Sequence, residues 1–254
     1  MKLSVALICR NEEAVLPQWL EAVRPFADEI VAVDSGSSDA TQDILRAAGA
    51  RVEHRDWSGY ADQRIYAESL CTGDWILFLD ADEIPDADFA AALNQLKQGP
   101  PPQEQALEIA RKHIFCGRFL RHGGFFPEYI LRLYRPGAAR WVQREVHESL
   151  QASGPVGRVT GAVEHRSYNS VGDYLRRMER YSAEAAREMH KNGRRASAWD
   201  AVAHAGWCFF SRYILRLGFL DGFEGYLAAR LESLYTLAKY SRLREMQKAR
   251  NHNP

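Results

Sequence analysis

The stretch that decides the fold is Trp75-Ile76-Leu77-Phe78-Leu79-Asp80-Ala81-Asp82-Glu83. An uninterrupted apolar run of this length is typical of a strand buried on both faces, as in the parallel sheet of an α/β protein. Asp80 and Asp82 follow directly where the strand ends. Because ligands bind at the carboxyl ends of the strands in such sheets, the stretch predicts a central strand and a polar site beside it.

The sequence before this stretch alternates between strand and helix patterns. Strands are predicted at Leu3 to Cys9, Glu29 to Val33 and Arg51 to His54. Helices are predicted from Asn11 to Val23, around Ile44 and Leu45 up to Gly49, and from Tyr60 to Ser69. This β-α-β-α-β order predicts a mostly parallel sheet flanked by helices.

The sequence after the stretch changes character twice. A helix is predicted from Asp86 to Leu96, followed by short strands at Leu107 to His113, Tyr129 to Tyr134 and Val156 to Val163. From Val171 to about Arg250 the pattern is almost entirely helical. We therefore divide the chain into an α/β domain at residues 1–165 and a helical C-terminal region at residues 166–254.

Charge is unevenly distributed along the 254 residues, although the net charge is zero. From Val171 onward there are 15 Lys and Arg against 9 Asp and Glu, which leaves 18 against 24 in the first 170 residues. An acidic N-terminal part suits cation binding, and a basic C-terminal part suits an anionic partner. Two solvated surfaces of opposite charge remain the alternative.

Targeting and cysteine patterns indicate a cytoplasmic protein. The N-terminus lacks the pattern of a signal peptide, and no apolar run reaches about 18 residues. The four cysteines form no CxxC pair, so we expect free thiols in a reducing compartment.

The C-terminal helices interleave aromatic residues with arginines, which suits a glycolipid acceptor or peripheral contact with an anionic surface on the inner face of the cytoplasmic membrane. Aromatics packed on the core are the alternative. No recognition motif for nucleic acid occurs, so a nucleic-acid partner is not expected.

The pair Asp80 and Asp82 predicts a divalent cation, Mg²⁺ or Mn²⁺. Two carboxylates two residues apart at a strand end can reach one hard cation, which also takes diphosphate oxygens and water. Such a metal neutralises the charge that develops on a departing diphosphate. A solvated acidic loop is the alternative.

Two other predicted strand ends carry polar residues that suit a nucleotide. Arg10 and Glu13 follow the first strand, and Asp34, Ser35 and Gly36 follow the second. A carboxylate there can accept hydrogen bonds from a base or from ribose hydroxyls; it can equally cap a helix or lie at its positive end. Arg64, on the helix before the deciding strand, is a candidate ligand of a donor phosphate.

A catalytic base is expected in the segment Arg144-Glu145-Val146-His147-Glu148. Attack by a hydroxyl group needs a general base, and Glu or Asp is the usual choice. Strand-like alternation would place Glu145 and His147 on one face and Glu148 on the other. Glu128 is a further candidate, and His147 is either a metal ligand or a structural histidine.

Several motifs together resemble family-2 glycosyltransferases, and within them the lipopolysaccharide-core β-1,4-glucosyltransferase branch. The family order is seen in Leu7 to Glu13, Val33 to Asp39 and Leu79 to Glu83. The branch resemblance rests on Trp57 to Arg64, Arg121 to Pro127, Val146 to Glu148 and Gly218 to Gly222. Arg64 departs from the Lys that relatives often carry there, with the charge kept.

The resemblance implies a nucleotide-sugar-binding GT-A fold, an inverting mechanism and a UDP-sugar donor, with UDP-glucose the leading choice. It implies that Asp34 contacts the base, Glu13 or its neighbours the ribose, and Asp80 and Asp82 the metal and diphosphate. The acceptor would be a glycolipid or oligosaccharide, and we place the base at Glu148. The alternatives are a sugar nucleotidyltransferase, which needs a Gly-rich loop after the first strand, and a non-catalytic glycan-binding or nucleotide-sugar-binding protein.

Overall fold

A computed structural model describes residues 1–142, 149–168 and 170–251 of the chain. These residues fall into two compact units. The first unit contains residues 1–111 and the described part of 128–165, and the second contains residues 112–127 and the described part of 166–251. The division expected from the sequence places residues 112–127 with the α/β part, whereas their contacts are with the helical part.

The first unit begins with four parallel strands. These are β1 (Leu3–Cys9), β2 (Glu29–Asp34), β3 (Arg51–His54) and β4 (Trp75–Phe78), in the spatial order β3-β2-β1-β4. The connecting helices are α1 (Leu16–Val23), α2 (Thr41–Ala47) and α3 (Tyr60–Leu70). Every residue of β4 is buried, as the apolar run requires.

Antiparallel strands extend this sheet beyond β4. After β5 (Glu83–Pro85) and α4 (Ala87–Gln98) come β6 (Ala106–Phe115), β7 (Arg118–Phe119), β8 (Glu128–Tyr134), β9 (Ala139–Val142), β10 (Ser149–Ala152) and β11 (Val156–Tyr168). The order continues β4-β8-β6-β11-β5, while β9 and β10 form a separate two-stranded sheet and β7 pairs with the end of β6. These features confirm the expected α/β class.

The predicted helix at Asn11 begins five residues later than expected. Asn11 adopts φ 57°, a left-handed conformation that a helix cannot continue through, and α1 starts at Leu16 with Pro17 in its first turn. Leu16, Trp19, Leu20 and Val23 are buried at helical spacing and form the inner face of the helix. The delayed start leaves residues 10–15 as a loop at the end of β1.

The second unit is mainly helical, which confirms the expected C-terminal helical extension. It contains α5 (Val171–Lys191), α6 (Ala198–Phe210) and α7 (Gly222–Asn251). A π-helix (Ser211–Leu215) and a 3₁₀-helix (Gly218–Asp221) connect α6 to α7. Ser170 caps α5, and Ser197 with Asp200 forms a capping box on α6. Over the described ranges, no helix combines the length and the hydropathy needed to cross a bilayer.

Candidate functional site

A cleft of about 330 Å³ opens at the carboxyl ends of β1 and β2, within the first unit. Its walls come from three places in the sequence, namely Ile8 to Glu12, the end of β2, and the start of α3. Trp57 and Tyr60 both line it, are half exposed, and meet edge to face with ring centroids 4.7 Å apart. Two exposed aromatic rings at a cleft offer a surface on which a planar base can stack.

Gln63 lies in the same cleft and is almost completely buried, with 1% of its surface exposed. Its Nε2 donates to the carbonyl oxygens of Arg55 and Asp56, at 3.1 and 2.7 Å. Within the described residues its Oε1 has no hydrogen-bond partner. Since buried polar atoms are normally paired, this oxygen keeps an unused capacity to accept a hydrogen bond.

Asp34 organises the loop that follows β2. Its buried carboxylate accepts hydrogen bonds from the backbone N–H groups of Gly36 and Ser37, both at 3.0 Å, and from the hydroxyl of Ser37. Gln42 Nε2 donates to it at 2.7 Å. Burial opposes its ionisation, but these donors outweigh burial and hold the pKa of Asp34 below its usual range. Its predicted contact with a base stays a prediction.

Gly36 and Ser35 complete this loop. Gly36 adopts φ +94°, which glycine tolerates readily, and this turns its N–H toward Asp34. Ser35 lines the cleft and its hydroxyl donates to the Cys9 carbonyl at 3.3 Å. The loop thus presents Ser35 to the cleft while Asp34 holds it in shape.

The loop after β1 is joined to the same region. Arg10 is exposed and lines the cleft. Glu13 Oε2 accepts from the Ala40 N–H at 2.9 Å, and the Glu13 N–H donates to Asp39 at 3.2 Å. Glu13 therefore ties the first loop to the second, and its predicted contact with ribose is untested.

Asp80 lies at the end of β4 between two guanidinium groups. Arg64 Nη2 donates to Asp80 Oδ1 at 2.7 Å, and Arg132 Nη2 to Oδ2 at 3.3 Å. Burial opposes ionisation of Asp80, but the positive charges of Arg64 and Arg132, with His165 nearby, hold its pKa well below the usual range. Arg64 is buried, with its guanidinium carbon 4.9 Å from the Trp141 ring centroid. Arg64 and Arg132 therefore concentrate positive charge where a diphosphate is expected.

Glu83 contacts both the Asp80 backbone and the neighbouring arginines. Its carboxylate is completely buried, accepts the Asp80 N–H at 3.0 Å, and lies 3.4 Å from Arg111 Nη1 and 4.0 Å from Arg132 Nε. A buried carboxylate is tolerated when it is paired and hydrogen bonded in this way. Glu83 thus fixes both the Asp80 backbone and the position of the arginines.

His165 adds an imidazole to the carboxylates of the aspartate pair. Its Nε2 lies 3.4 Å from Asp82 Oδ2, because β11 pairs antiparallel with β5 and sets His165 opposite Glu83. Asp82 and His165 fit Mn²⁺ or Mg²⁺, since carboxylate oxygens suit both ions and imidazole suits the softer Mn²⁺. Within residues 1–142, 149–168 and 170–251, no three His, Cys, Asp or Glu side chains converge on one metal position. Diphosphate oxygens and water would supply the remaining ligands.

The whole expected base segment, residues 144–148, lies outside the described residues, and with it Glu145, His147 and Glu148. The further candidate Glu128 pairs with Arg111, with Oε2 2.7 Å from Nε. The Glu128 side chain is 41% exposed. The base assignment to Glu148 therefore remains a prediction.

Sequence reasoning missed five residues of this site, namely Trp57, Tyr60, Gln63, Arg132 and His165. Trp57 to Arg64 stood out as a motif, but its aromatic residues and Gln63 had no role. The predicted third short strand ends at Val163, two residues before His165, whereas β11 continues to Tyr168. A strand pattern followed to its last alternating residue would have reached this histidine.

Residues 4–103 match glycosyl transferase family 2. An uncharacterized glycosyltransferase of Rickettsia typhi is 27% identical over 98% of this chain and 89% of its own length. The lipopolysaccharide core biosynthesis glycosyltransferase LpsC of Rhizobium meliloti is 29% identical over 92% of this chain and 89% of its own.

Among solved structures, glucosyl-3-phosphoglycerate synthase from Mycobacterium tuberculosis, in complex with Mn²⁺, UDP and glucosyl-3-phosphoglycerate, is 26% identical with a TM-score of 0.37. The match covers 44% of this chain and 44% of that one. The chain thus spans less than half of the length of that solved relative.

Proposed function

We propose that this protein, whose residues 4–103 match glycosyl transferase family 2 and whose fold is of the GT-A type, transfers a hexose from a UDP-sugar to a lipopolysaccharide-core or related glycolipid. UDP-glucose is the proposed donor. The observation that carries the proposal is the position of Asp80, Asp82 and His165 at the same sheet edge as the aromatic cleft. LpsC, the relative named for lipopolysaccharide core biosynthesis, supports the acceptor class.

The cleft accounts for the nucleotide. Trp57 and Tyr60 stack on the uracil ring, and the unpaired Oε1 of Gln63 accepts a hydrogen bond from a base N–H or a ribose hydroxyl. Arg10 and Glu13, which follow β1, lie on the ribose side. Because Gln63 is followed by Arg64, which pairs with Asp80, the donor diphosphate would run from the cleft to the aspartate pair.

A divalent cation held by Asp82 and His165, with Asp80 beside them and with diphosphate oxygens and water as further ligands, would neutralise negative charge on the departing diphosphate. Arg64 and Arg132 add two positive charges at the same edge, and the Trp141 ring and Glu83 hold them in place. Preorganised charge of this kind stabilises the leaving group without reorganisation during the reaction.

The proposed reaction is a direct displacement with inversion. Glu148 removes the proton from an acceptor hydroxyl, whose oxygen forms a bond to the anomeric carbon while the bond to the UDP oxygen breaks. The electron pair of that bond leaves with UDP. Glu128 and Glu145 are the alternatives for the base, and glutamate-to-glutamine replacements at the three positions separate them.

The free cysteines are consistent with a cytoplasmic location. All four thiols are unpaired. Burial raises the pKa of the Cys9 thiol far above its ordinary value and that of Cys71 to about 12, so both stay neutral and unreactive at physiological pH. Buried unpaired thiols are usual in a reducing compartment, where nucleotide-sugar chemistry is proposed to occur.

The test is nucleotide release from a panel of UDP- and GDP-sugars in the presence of Mn²⁺, Mg²⁺ or EDTA. We expect release of UDP from UDP-glucose that EDTA abolishes and that Asp82→Asn reduces at least about 100-fold. Asp88→Asn is the matched control, because Asp88 is an exposed carboxylate in the first turn of α4. Release of diphosphate from UTP and a sugar 1-phosphate would instead identify a nucleotidyltransferase.

A further inference from the structure

Helix α6 has its large apolar side chains on the outside. Trp199, Val202, Trp207 and Phe210 are exposed to 75%, 57%, 60% and 45%. They follow each other at helical spacing and so form one stripe. The side facing the protein is made of small residues: Ala201 and Ala205 are buried, and the Ala205 carbonyl accepts from Ser233 of α7. A surface helix of a globular protein has the opposite arrangement.

The apolar surface continues into the turn between α6 and α7. That turn exposes Ile214, Leu215, Leu217, Phe219, Leu220 and Phe223. Aromatic contacts join the two parts, with ring centroids 6.0 Å apart for Trp207–Phe210, 5.2 Å for Phe209–Tyr213 and 6.2 Å for Tyr213–Phe219. We call the α6 stripe and these six residues the aromatic face. It lies entirely within the second unit.

The backbone of the turn that carries part of the aromatic face is fixed by polar contacts within the second unit. Leu217 adopts φ 56°, a left-handed conformation that costs energy for a branched side chain, yet its side chain is 45% exposed. Asp221 is buried and accepts from the His122 backbone at 2.7 Å, with its other oxygen 2.9 Å from Nδ1 of that residue. Arg212 donates to the Gly123 carbonyl at 3.0 Å and pairs with Glu232 at 3.3 Å. These polar contacts thus fix the turn whose apolar side chains are exposed.

The exposed charges around the aromatic face are mainly positive. Between residues 201 and 220 the sequence contains no Asp or Glu. Arg194, Arg195, Arg216 and Arg230 are exposed in the residues that precede, form and follow it. Arg230 lies over the Phe209 ring with 4.1 Å to the centroid. Tryptophan and arginine together, with few acidic neighbours, are the composition of a membrane-interface surface.

We propose that the aromatic face docks onto an anionic lipid bilayer, with the tryptophans and leucines in the headgroup region and the arginines against lipid phosphates. A protein interface of standard type surrounds its apolar centre with a polar rim of both donors and acceptors. Here the exposed charges are mainly cationic, and they complement an anionic surface. The proposal does not depend on the identity of the sugar donor.

The test is flotation of the full-length protein with vesicles of phosphatidylcholine alone or mixed with phosphatidylglycerol. We expect flotation with the anionic vesicles, a shift of tryptophan fluorescence to shorter wavelength, and release at high salt as the charges are screened. Trp207→Gln combined with Phe210→Gln should lower the bound fraction at least about tenfold. Arg194→Gln combined with Arg195→Gln should weaken the preference for anionic lipid, because Arg216 and Arg230 remain.

Tyr129→Gln combined with Val156→Gln is the matched control, because both side chains are exposed and apolar but belong to the first unit. This variant should float like the unaltered protein. Quenching of tryptophan fluorescence by brominated lipid in the unaltered protein keeps the test valid if a variant misfolds. Absence of both flotation and quenching overturns the proposal. A stable dimer that the Trp207 and Phe210 changes dissociate would assign this face to a second copy of the chain.

Discussion

Asp82 and His165 are far apart in the sequence, and β11 brings the second to the first at 3.4 Å. Asp82 was expected from its spacing to Asp80, but His165 has no motif of its own. Among the histidines of the chain, we propose only His165 as a metal ligand. A substitution of His165 therefore tests the metal site directly.

His165→Asn should weaken Mn²⁺ binding at least about tenfold, because the imidazole nitrogen is lost while a side chain of similar size remains. The measurement is the Mn²⁺ concentration needed for half-maximal UDP release. His204→Asn is the control, since His204 stacks on Tyr240 in the second unit. Equal Mn²⁺ requirements in the two variants would remove His165 from the metal site.

Asp34 gives a prediction on pH and stability. Its folded-state pKa is depressed, so its contribution is fully present above the ordinary aspartate pKa of about 3.9 and is lost as the pH falls through the lower, folded value. Asp34→Asn should lower the free energy of unfolding by about 1–3 kcal/mol at neutral pH. The gap to the unaltered protein should narrow below pH 4.

Denaturant titrations across the acid range measure this gap. Asp43→Asn serves as the comparison, because the Asp43 side chain is 89% exposed on α2. That variant should match the unaltered protein throughout. A gap for Asp34→Asn that stays constant down to the lowest pH would show that the carboxylate charge contributes nothing.

At the scale of elements, β11 depends on one glycine. Gly161 adopts φ +84°, and a Cβ there would lie 2.1 Å from the backbone nitrogen of Phe89 in α4. The strand therefore passes too close to the helix for any side chain. Since β11 carries His165 four residues later, this contact also sets the position of the proposed metal ligand.

Gly161→Ala should lower the free energy of unfolding by about 3 kcal/mol or more, because the backbone of α4 cannot move aside cheaply. Thermal or denaturant unfolding measures it. Gly154→Ala is the matched control: nothing lies within 4 Å of the position that its methyl group would take, so its cost should be small. Similar losses in both variants would contradict the close approach.

The parallel strands were predictable because each is a local apolar run. β1 and β3 have the expected bounds, and β2 and β4 differ from expectation by one residue. The start of α1 was not predictable from apolar spacing, because the left-handed Asn11 interrupts the chain before it. Helix periodicity reports which face is buried more reliably than where the helix begins.

The role of Asp80 and Asp82 in metal binding stays a prediction, but their position was predictable, because both lie in one short segment after a strand. Arg132 and His165 were not, because antiparallel pairing between distant segments brings them there. Local patterns contain no information on which strands will be neighbours. The buried Glu83 was seen only as part of an acidic run, and its pairing with Arg111 follows from the same long-range pairing.

At the scale of the whole molecule, ligand binding should increase the stability of the folded protein. UDP with Mn²⁺ should raise the melting temperature. At a ligand concentration 100-fold above the dissociation constant, the free energy of unfolding should rise by about 2.7 kcal/mol. EDTA should reverse the increase, and Asp82→Asn should abolish it. If UDP stabilises the protein equally well in EDTA, nucleotide binding does not require a metal ion.

The opposite charges of the two parts of the sequence relate to different surfaces. The acidic N-terminal part contains the carboxylates at the strand ends, and most of these are paired with arginine or backbone donors rather than solvated. The basic C-terminal part contains the aromatic face and its arginines. Composition indicated this asymmetry, but only side-chain exposure distinguishes outward-facing aromatic residues from core residues.

The insertion of residues 112–127 into the second unit limits how this enzyme can be cut or recombined. Neither unit is a continuous piece of the chain, so a fragment ending at residue 165 would keep this segment but lose the helices it packs with. Exchange of C-terminal parts between relatives after residue 165 would mismatch the same contacts. A productive chimera must transfer two segments together, 112–127 and everything from 166 onward.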